Sequence, residues 1–105
     1  MNHRNKFGIP EKILEIILSG LKQFSEIEKA VIFGSRATGN YKNGSDIDIA
    51  IFGTNVTFNT VARLHGILNE QAPIPYFVDI IDFNSINNEE LKKHIEDHGV
   101  TFYER

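Results

Sequence analysis

Cysteine is absent from the chain, which rules out both a disulfide scaffold and a thiolate metal site. No apolar run approaches the roughly 20 residues that a membrane-spanning helix requires. Met1-Asn2-His3-Arg4-Asn5-Lys6 is basic, yet the apolar stretch of a secretory signal does not follow it. A cytoplasmic protein without membrane association is therefore expected. Basic residues are not in excess either: 11 Lys and Arg stand against 14 Asp and Glu, a net charge of −3. Dedicated nucleic-acid binders are usually basic, so no direct nucleic-acid binding is expected. Repeats, linkers and low-complexity segments are also missing. What is present is 41% hydrophobic and 24% charged, an ordinary soluble composition. At 105 residues, the expectation is one domain, 1–105, with one core.

The apolar spacing sets out the elements. Pro10 suits a first helical turn, and Leu14, Ile17, Leu18, Leu21 and Phe24 fall on one face of a helix over 11–24. Ala30-Val31-Ile32-Phe33 is a short continuous apolar run ended by Gly34, the pattern of a strand buried on both faces. Residues 35–40 suit a short helical turn, and Asn43-Gly44 carries turn chemistry. Asp46 to Phe52 reads as a second strand. Phe58, Val61, Leu64, His65 and Leu68 mark a helix over 57–70, which Pro73 and Pro75 end. Tyr76 to Ile81 reads as a third strand. Asn87 and Glu90 have the spacing of a capping box for a helix over 88–97 that Gly99 closes, and Val100 to Tyr103 suits a short edge strand. The fold class is α/β (α+β): a small sheet with helices packed on it.

The second strand carries acids where apolar residues belong. Residues two apart on a strand share a face, so Asp46, Asp48 and Ala50 point one way and Ile47, Ile49 and Ile51 point to the packed side. The two aspartate Cα atoms lie roughly 6.5–7 Å apart. Neighbouring carboxylates repel and raise each other's pKa, a cost that a cation removes. Mg²⁺, a hard ion, takes oxygen ligands of this kind together with substrate phosphates. Asp79, between Val78 and Ile80, is the odd residue of the third strand. Beside the second strand it completes a three-carboxylate cluster, and such a cluster suits two metal ions about 3.5–4 Å apart in phosphoryl chemistry. Asp82, near the strand's end, reads as a loop or solvent-facing residue. An Asp-x-Asp pair alone is also what solvated turn chemistry produces. A calcium loop is excluded, because its glycine and later glutamate are missing.

Gly34 and Ser35 sit between a buried strand and a helical turn, where backbone N–H groups and the helix dipole favour an anion. Glycine admits close approach of a phosphate, Ser35 adds a hydroxyl and Arg36 a charged fork. A Walker loop is excluded, because Asn40-Tyr41 occupy the Lys-Ser/Thr positions. Taken alone, Gly34-Ser35 is also an ordinary strand-ending turn. If phosphate cradle and carboxylates serve one ligand, the end of the first strand lies beside the start of the second, so the two strands run antiparallel.

Gly34-Ser35-Arg36-Ala37-Thr38-Gly39 followed by Ser45-Asp46-Ile47-Asp48-Ile49 resembles the G-S-R-A-R-G…S-D-x-D-L signature of the minimal nucleotidyltransferases (MNT), within the polymerase β-like nucleotidyltransferase superfamily. Val78-Asp79-Ile80-Ile81-Asp82 resembles the late V-D-L segment of that family. The resemblance spans nearly the whole chain and implies the polymerase β-like fold with a mixed, partly antiparallel sheet. It implies that Gly34 and Ser35 hold the triphosphate of ATP, that Asp46, Asp48 and Asp79 are catalytic and ligate two Mg²⁺ ions, and that Arg36 contacts phosphate or supports the loop. Thr38 stands where many members have Arg. The reaction implied is attack of a hydroxyl on the α-phosphate of a nucleotide, with loss of pyrophosphate.

Larger relatives carry a second, helical domain for the acceptor, and this chain leaves no room for one. The resemblance implies instead a separate helical partner of the HEPN type, a hetero-oligomer, and an antitoxin that adenylylates a tyrosine of its toxin. Two alternatives carry weight: an antitoxin that neutralises by occlusion with a vestigial site, and a nucleotide-binding regulator without turnover. His94 and His98 are spaced to bind a metal but read as surface residues near a helix end. His65 reads as a partly buried packing residue, and Lys42 as a solvated loop residue. Phe77 and Ile81 share the face of Asp79 and suit either a base pocket or the core.

Overall fold

The computed structural model describes residues 7–105; the basic Met1–Lys6 segment lies outside the described residues. Four helices, α1 (Glu11–Lys22), α2 (Ser35–Thr38), α3 (Phe58–Gly66) and α4 (Glu89–His98), alternate with four strands, β1 (Lys29–Phe33), β2 (Ile47–Phe52), β3 (Val78–Asp82) and β4 (Val100–Glu104). The strands form one mixed sheet in the order β3-β2-β1-β4. β1 pairs antiparallel with β2 and with β4, and β2 pairs parallel with β3. The antiparallel β1–β2 pair is the arrangement that the phosphate-and-carboxylate reading required.

The period-2 pattern of β2 decides which face carries the core. Ile47, Ile49 and Ile51 are fully buried, and with Val78, Ile80 and Ile32 they meet Ile17 and Leu21 of α1 and Leu64 and Leu68 from the α3 region. The opposite face is not left open. Val31, Phe33 and Ala50 are covered by Ile95 of α4, so only the end of that face nearest Asp48 remains for chemistry. The acid-bearing face is thus half core and half site.

Local chemistry sets the helix ends, with small shifts from the sequence pattern. Pro10 is the N-cap of α1, its carbonyl accepting from Ile13 and Leu14 at 2.9 and 3.1 Å. Thr57 caps α3 and exchanges bonds with Thr60, whose hydroxyl donates to Glu26 at 2.8 Å and ties the helix to the segment before β1. The cap of α4 is Asn88, not Asn87; its side chain accepts from Leu91 N at 3.1 Å. Gly99 does close α4, but with extended rather than left-handed backbone. Its lack of a side chain matters for packing: a Cβ there would strike the Ile95 carbonyl and Val31.

After α3 the helix widens into one π-turn, Ile67–Gln71, and from it Asn69 reaches the outer edge of β3. Its amide donates to the Val78 carbonyl and accepts from the Val78 N–H, both at 2.8 Å. A side chain thereby supplies the pairing that an edge strand lacks. Asn69→Ala removes both partners at once. It is expected to destabilise the fold by about 1–3 kcal/mol, read as a lower urea midpoint at unchanged slope; a midpoint equal to wild type contradicts this role.

Candidate active site

The site forms where β1 ends and β2 begins. Register pairs Phe33 with Asp48, so the next residue, Gly34, turns across the start of β2. Gly34 has φ 76° and ψ −155°, a conformation essentially restricted to glycine. A Cβ built there would lie 2.5 Å from Asp48 Oδ2. The glycine is therefore required twice, by its backbone angle and by the carboxylate pressed against it. The Gly34 carbonyl accepts from Ala37 and Thr38 N at 3.1 and 3.2 Å, closing α2 immediately behind the glycine. The Thr38 hydroxyl lies 3.3 Å from the same carbonyl, which gives this residue a part in the turn itself. Ser35 opens α2, half-buried beside Gly34.

Parallel register places Asp79 directly beside Asp48, and Asp46 precedes β2 by one residue, exposed. All three expected carboxylates thus reach one end of one sheet face. Asp48, half-buried between the others, has its carboxyl raised above the usual range, by burial first, then by the charges of Asp79 and Asp46. Among the described residues, no three His, Cys, Asp or Glu side chains are gathered closely enough to hold an ion as they stand. Like-charge repulsion keeps carboxylates apart, and a cation would have to draw them together. The donor set is nonetheless one for a hard divalent ion, all carboxylate oxygen, and the Gly34 backbone leaves the Asp48 oxygen uncovered by any side chain of its own. The residues present fit Mg²⁺.

Arg36 is placed differently from a phosphate ligand. It is one of the largest fully buried side chains. Its Nε and Nη2 donate to the Ser45 carbonyl at 3.0 and 2.8 Å, and Nη1 donates to the carbonyls of Phe7 and Gly8 at 2.9 and 3.3 Å. The rings of Tyr41 and Tyr76 flank the guanidinium at 5.2 and 4.8 Å. Of the two roles the resemblance implied, this geometry is that of loop support. The anchored carbonyl belongs to the residue before Asp46, so Arg36 fixes the loop at the point where the carboxylates begin. Lys42 is exposed; its N–H donates to the Ser45 hydroxyl at 2.8 Å, tightening the same loop. His94 is half-buried against the edge of Phe33, with centroids 6.5 Å apart, and its ring lies 5.3 Å from that of exposed His98. Asp82 caps the turn after β3, accepting from Asn84 N at 3.1 Å, away from the other acids. Phe77 is not in the core; it is 48% exposed.

Two consequences are measurable. Arg36→Ala removes the donors to the buried carbonyls of Phe7 and Gly8 and the half-buried one of Ser45 and empties the space between two tyrosine rings, and is expected to cost about 3 kcal/mol or more of folding stability, read from denaturant unfolding; a loss below about 1 kcal/mol contradicts the anchoring role. Asp48 gives a pH dependence. Its folded-state pKa is raised, so between the ordinary carboxylate value and the raised one the folded chain holds a proton that the unfolded chain has released. Stability therefore falls as pH rises through that window. Asp48→Asn is expected to raise the Tm of the ion-free protein at pH 7, and the gain is expected to vanish below about pH 4. A Tm at pH 7 no higher than wild type contradicts it.

Similarity to known proteins follows the same outline. A chain of the crystal structure of a toxin–antitoxin with AMP-PNP superimposes with a TM-score of 0.69 at 21% identity, over 90% of this chain and 73% of that one. A chain of the tri-AMPylated Shewanella oneidensis HEPN toxin in complex with MNT antitoxin gives 0.68 at 18% identity, over 90% and 72%. A putative nucleotidyltransferase from Sulfolobus solfataricus gives 0.56 at 27% identity, over 90% and 79%. No functionally curated protein matches the chain. The family described as polymerase beta, nucleotidyltransferase matches residues 12–105, nearly all of the elements just described, and the chain belongs to that family.

Proposed function

We propose that the chain is an Mg²⁺-dependent nucleotidyltransferase that moves AMP from ATP to a hydroxyl, a tyrosine of a separate HEPN-type helical partner, and so acts as that partner's antitoxin. The observation that carries this reading is the meeting of Gly34 with Asp48, and of Asp48 with Asp79, at one end of the sheet. Membership of the nucleotidyltransferase family supports the reaction class. The fold shared with chains of toxin–antitoxin complexes, one holding AMP-PNP and one a tri-AMPylated toxin, supports the nucleotide and the biological role. Among the described residues no helix is long and apolar enough to cross a membrane.

Each residue has a distinct task. The backbone at Gly34 and Ser35 receives the triphosphate at the start of α2, where N–H groups point outward. Asp46, Asp48 and Asp79 would hold two Mg²⁺ ions, which when bound neutralise charge on the phosphates and lower the pKa of the attacking hydroxyl. Asp79, on the side of the cluster away from Gly34, accepts the hydroxyl proton. The hydroxyl oxygen bonds to the α-phosphorus as the bond from that phosphorus to the bridging oxygen breaks, and pyrophosphate leaves with the electron pair. Arg36 holds the loop, and with it the position of Asp46.

The test uses α-labelled ATP, Mg²⁺ and the protein encoded beside this one. Label is expected on a tyrosine of that neighbour with wild type, and at least 10³-fold less with Asp46→Asn plus Asp48→Asn, the scale on which removal of a key transition-state group acts. Unlabelled neighbour under conditions where ATP binds contradicts the reaction. A double variant that still neutralises the partner would assign the antitoxin effect to occlusion. Mg²⁺ with ATP is also expected to raise the Tm of the wild type, because a ligand that binds only the folded state stabilises it; an indifferent Tm contradicts a binding site.

A further inference from the structure

We infer that the cavity beside the Arg36 guanidinium is a binding site for a small oxyanion, a phosphate or a carboxylate, and that its occupant pins the exposed 42–44 loop to Arg36. The site is separate from the nucleotide site and does not depend on the transfer reaction proposed above.

The charge of Arg36 is only partly answered. A guanidinium carries five N–H groups. Arg36 is 2% exposed, and its four hydrogen bonds all run to neutral carbonyls, from Nε and Nη2 to Ser45 and from Nη1 to Phe7 and Gly8. Nη2 has two hydrogens and makes one of these bonds, so among the described residues its second N–H has no acceptor. Carbonyls match the other donors but supply no negative charge. The salt bridge among the described residues joins Lys93 to Asp97; neither Arg36 nor Lys42 is paired with a carboxylate.

The open N–H lies where there is space. The rings of Tyr41 and Tyr76 flank the guanidinium at 5.2 and 4.8 Å, so a ligand reaches it along its edge. Nε and the first Nη2 hydrogen face Ser45, and Nη1 faces Phe7 and Gly8. The second Nη2 hydrogen leaves the fork between these two sets of partners. A cavity of about 170 Å³ borders Arg36 there, with Gly8 on one wall and Gly44, the neighbour of Ser45, on another. Lys42 and both tyrosines line it as well, and no Asp or Glu does. The hydroxyls of Tyr41 and Tyr76 have no hydrogen-bond partner among the described residues. Guanidinium, ammonium and phenol groups around one space favour a charged acceptor, and Arg pairs best with carboxylate or phosphate oxygens. The volume is below the roughly 300 Å³ at which pockets accept drug-sized molecules, so it suits a small anionic group and not a nucleotide.

The cavity lies apart from the carboxylates. None of Gly34, Ser35, Asp46, Asp48 and Asp79 lines it. Tyr76 packs with the core on the α1 side of the sheet, whereas Phe33, opposite Asp48, packs with the core on the α4 side. Arg36 connects the two sides, because the Ser45 carbonyl that it holds precedes Asp46. An anion gripped by Nη2 and Lys42 would tie the exposed loop to the same guanidinium that fixes its end.

Inorganic phosphate, and separately acetate, are titrated into the full chain at pH 7 without Mg²⁺ or nucleotide, with ionic strength held constant by chloride. NMR follows the Arg36 Nε–H, the Tyr41 and Tyr76 rings and the Ser35 N–H. Expected are saturable shifts at Arg36 and both rings with at least one of the two anions. Lys42→Ala, at an exposed position, is expected to weaken that binding about tenfold, and Lys22→Ala, an exposed lysine of α1, to leave it within about twofold. A response to phosphate alone identifies a phosphoryl anion as the occupant; a stronger response to acetate identifies a carboxylate, such as an acidic side chain presents. Shifts at Ser35 with none at Arg36 overturn the inference, as does silence with both anions or equal weakening by the two lysine variants. The anion that binds is also expected to raise the Tm of wild type more than that of Lys42→Ala. Equal rises would be a general salt effect and would overturn it too.

Discussion

The site depends on one buried guanidinium. Arg36 donates to carbonyls before α1 and to the carbonyl that precedes Asp46, between two tyrosine rings. A loop running from Gly39 to Asp46 has little apolar surface to anchor it; residues 42 to 44 are exposed. Without a tether such a loop would leave the first carboxylate loosely placed. A cation buried this deeply persists only when its donors are matched, and here backbone carbonyls, not acids, match them. The positive charge therefore stays uncancelled by any carboxylate among those bonds, within the turn that the proposed triphosphate would approach.

A second constraint opposes the first. Asp48 is pushed against the Gly34 backbone and flanked by two other acids, an arrangement that costs stability in the absence of cations. The sheet accommodates it because the other face of β2 is three fully buried isoleucines, whose burial offsets what the acids lose. Stability held in the core and strain held at the site is a common division in enzymes. The half-covered second face extends it: α4 seals Val31, Phe33 and Ala50 and stops short of the acids, leaving them at the rim of a core instead of on an open surface.

Much of this was legible in the sequence because periodicity and chemistry pointed the same way. Alternation in Ile47–Phe52 marks both the strand and its acidic face, and a phosphate cradle and carboxylates that serve one ligand imply the antiparallel β1–β2 pair. Asp79 was legible as the one charge inside an apolar run. Arg36 was ambiguous, since sequence shows a charged fork but not which oxygens surround it; its partners come from residues 28 and 29 positions away. Asn69 left no signal, because an amide in a helical pattern reads as surface until an edge strand is placed beside it. The cap of α4 slipped from Asn87 to Asn88 because two adjacent asparagines offer the same chemistry and only helix phase chooses between them. Phe77 stayed open between core and pocket because strand parity assigns a face, not its cover.

The central claim is that Gly34-Ser35 and the three aspartates are one nucleotide site. A crystal structure of the chain with Mg²⁺ and a non-hydrolysable ATP analogue tests it most directly. The account predicts phosphate oxygens on the backbone at Gly34 and Ser35, and metal density bridging those oxygens to Asp46 and Asp48, with Asp79 drawn in toward them. A nucleotide bound elsewhere, or phosphates at Gly34 with the aspartates still apart and no ion between them, would contradict it.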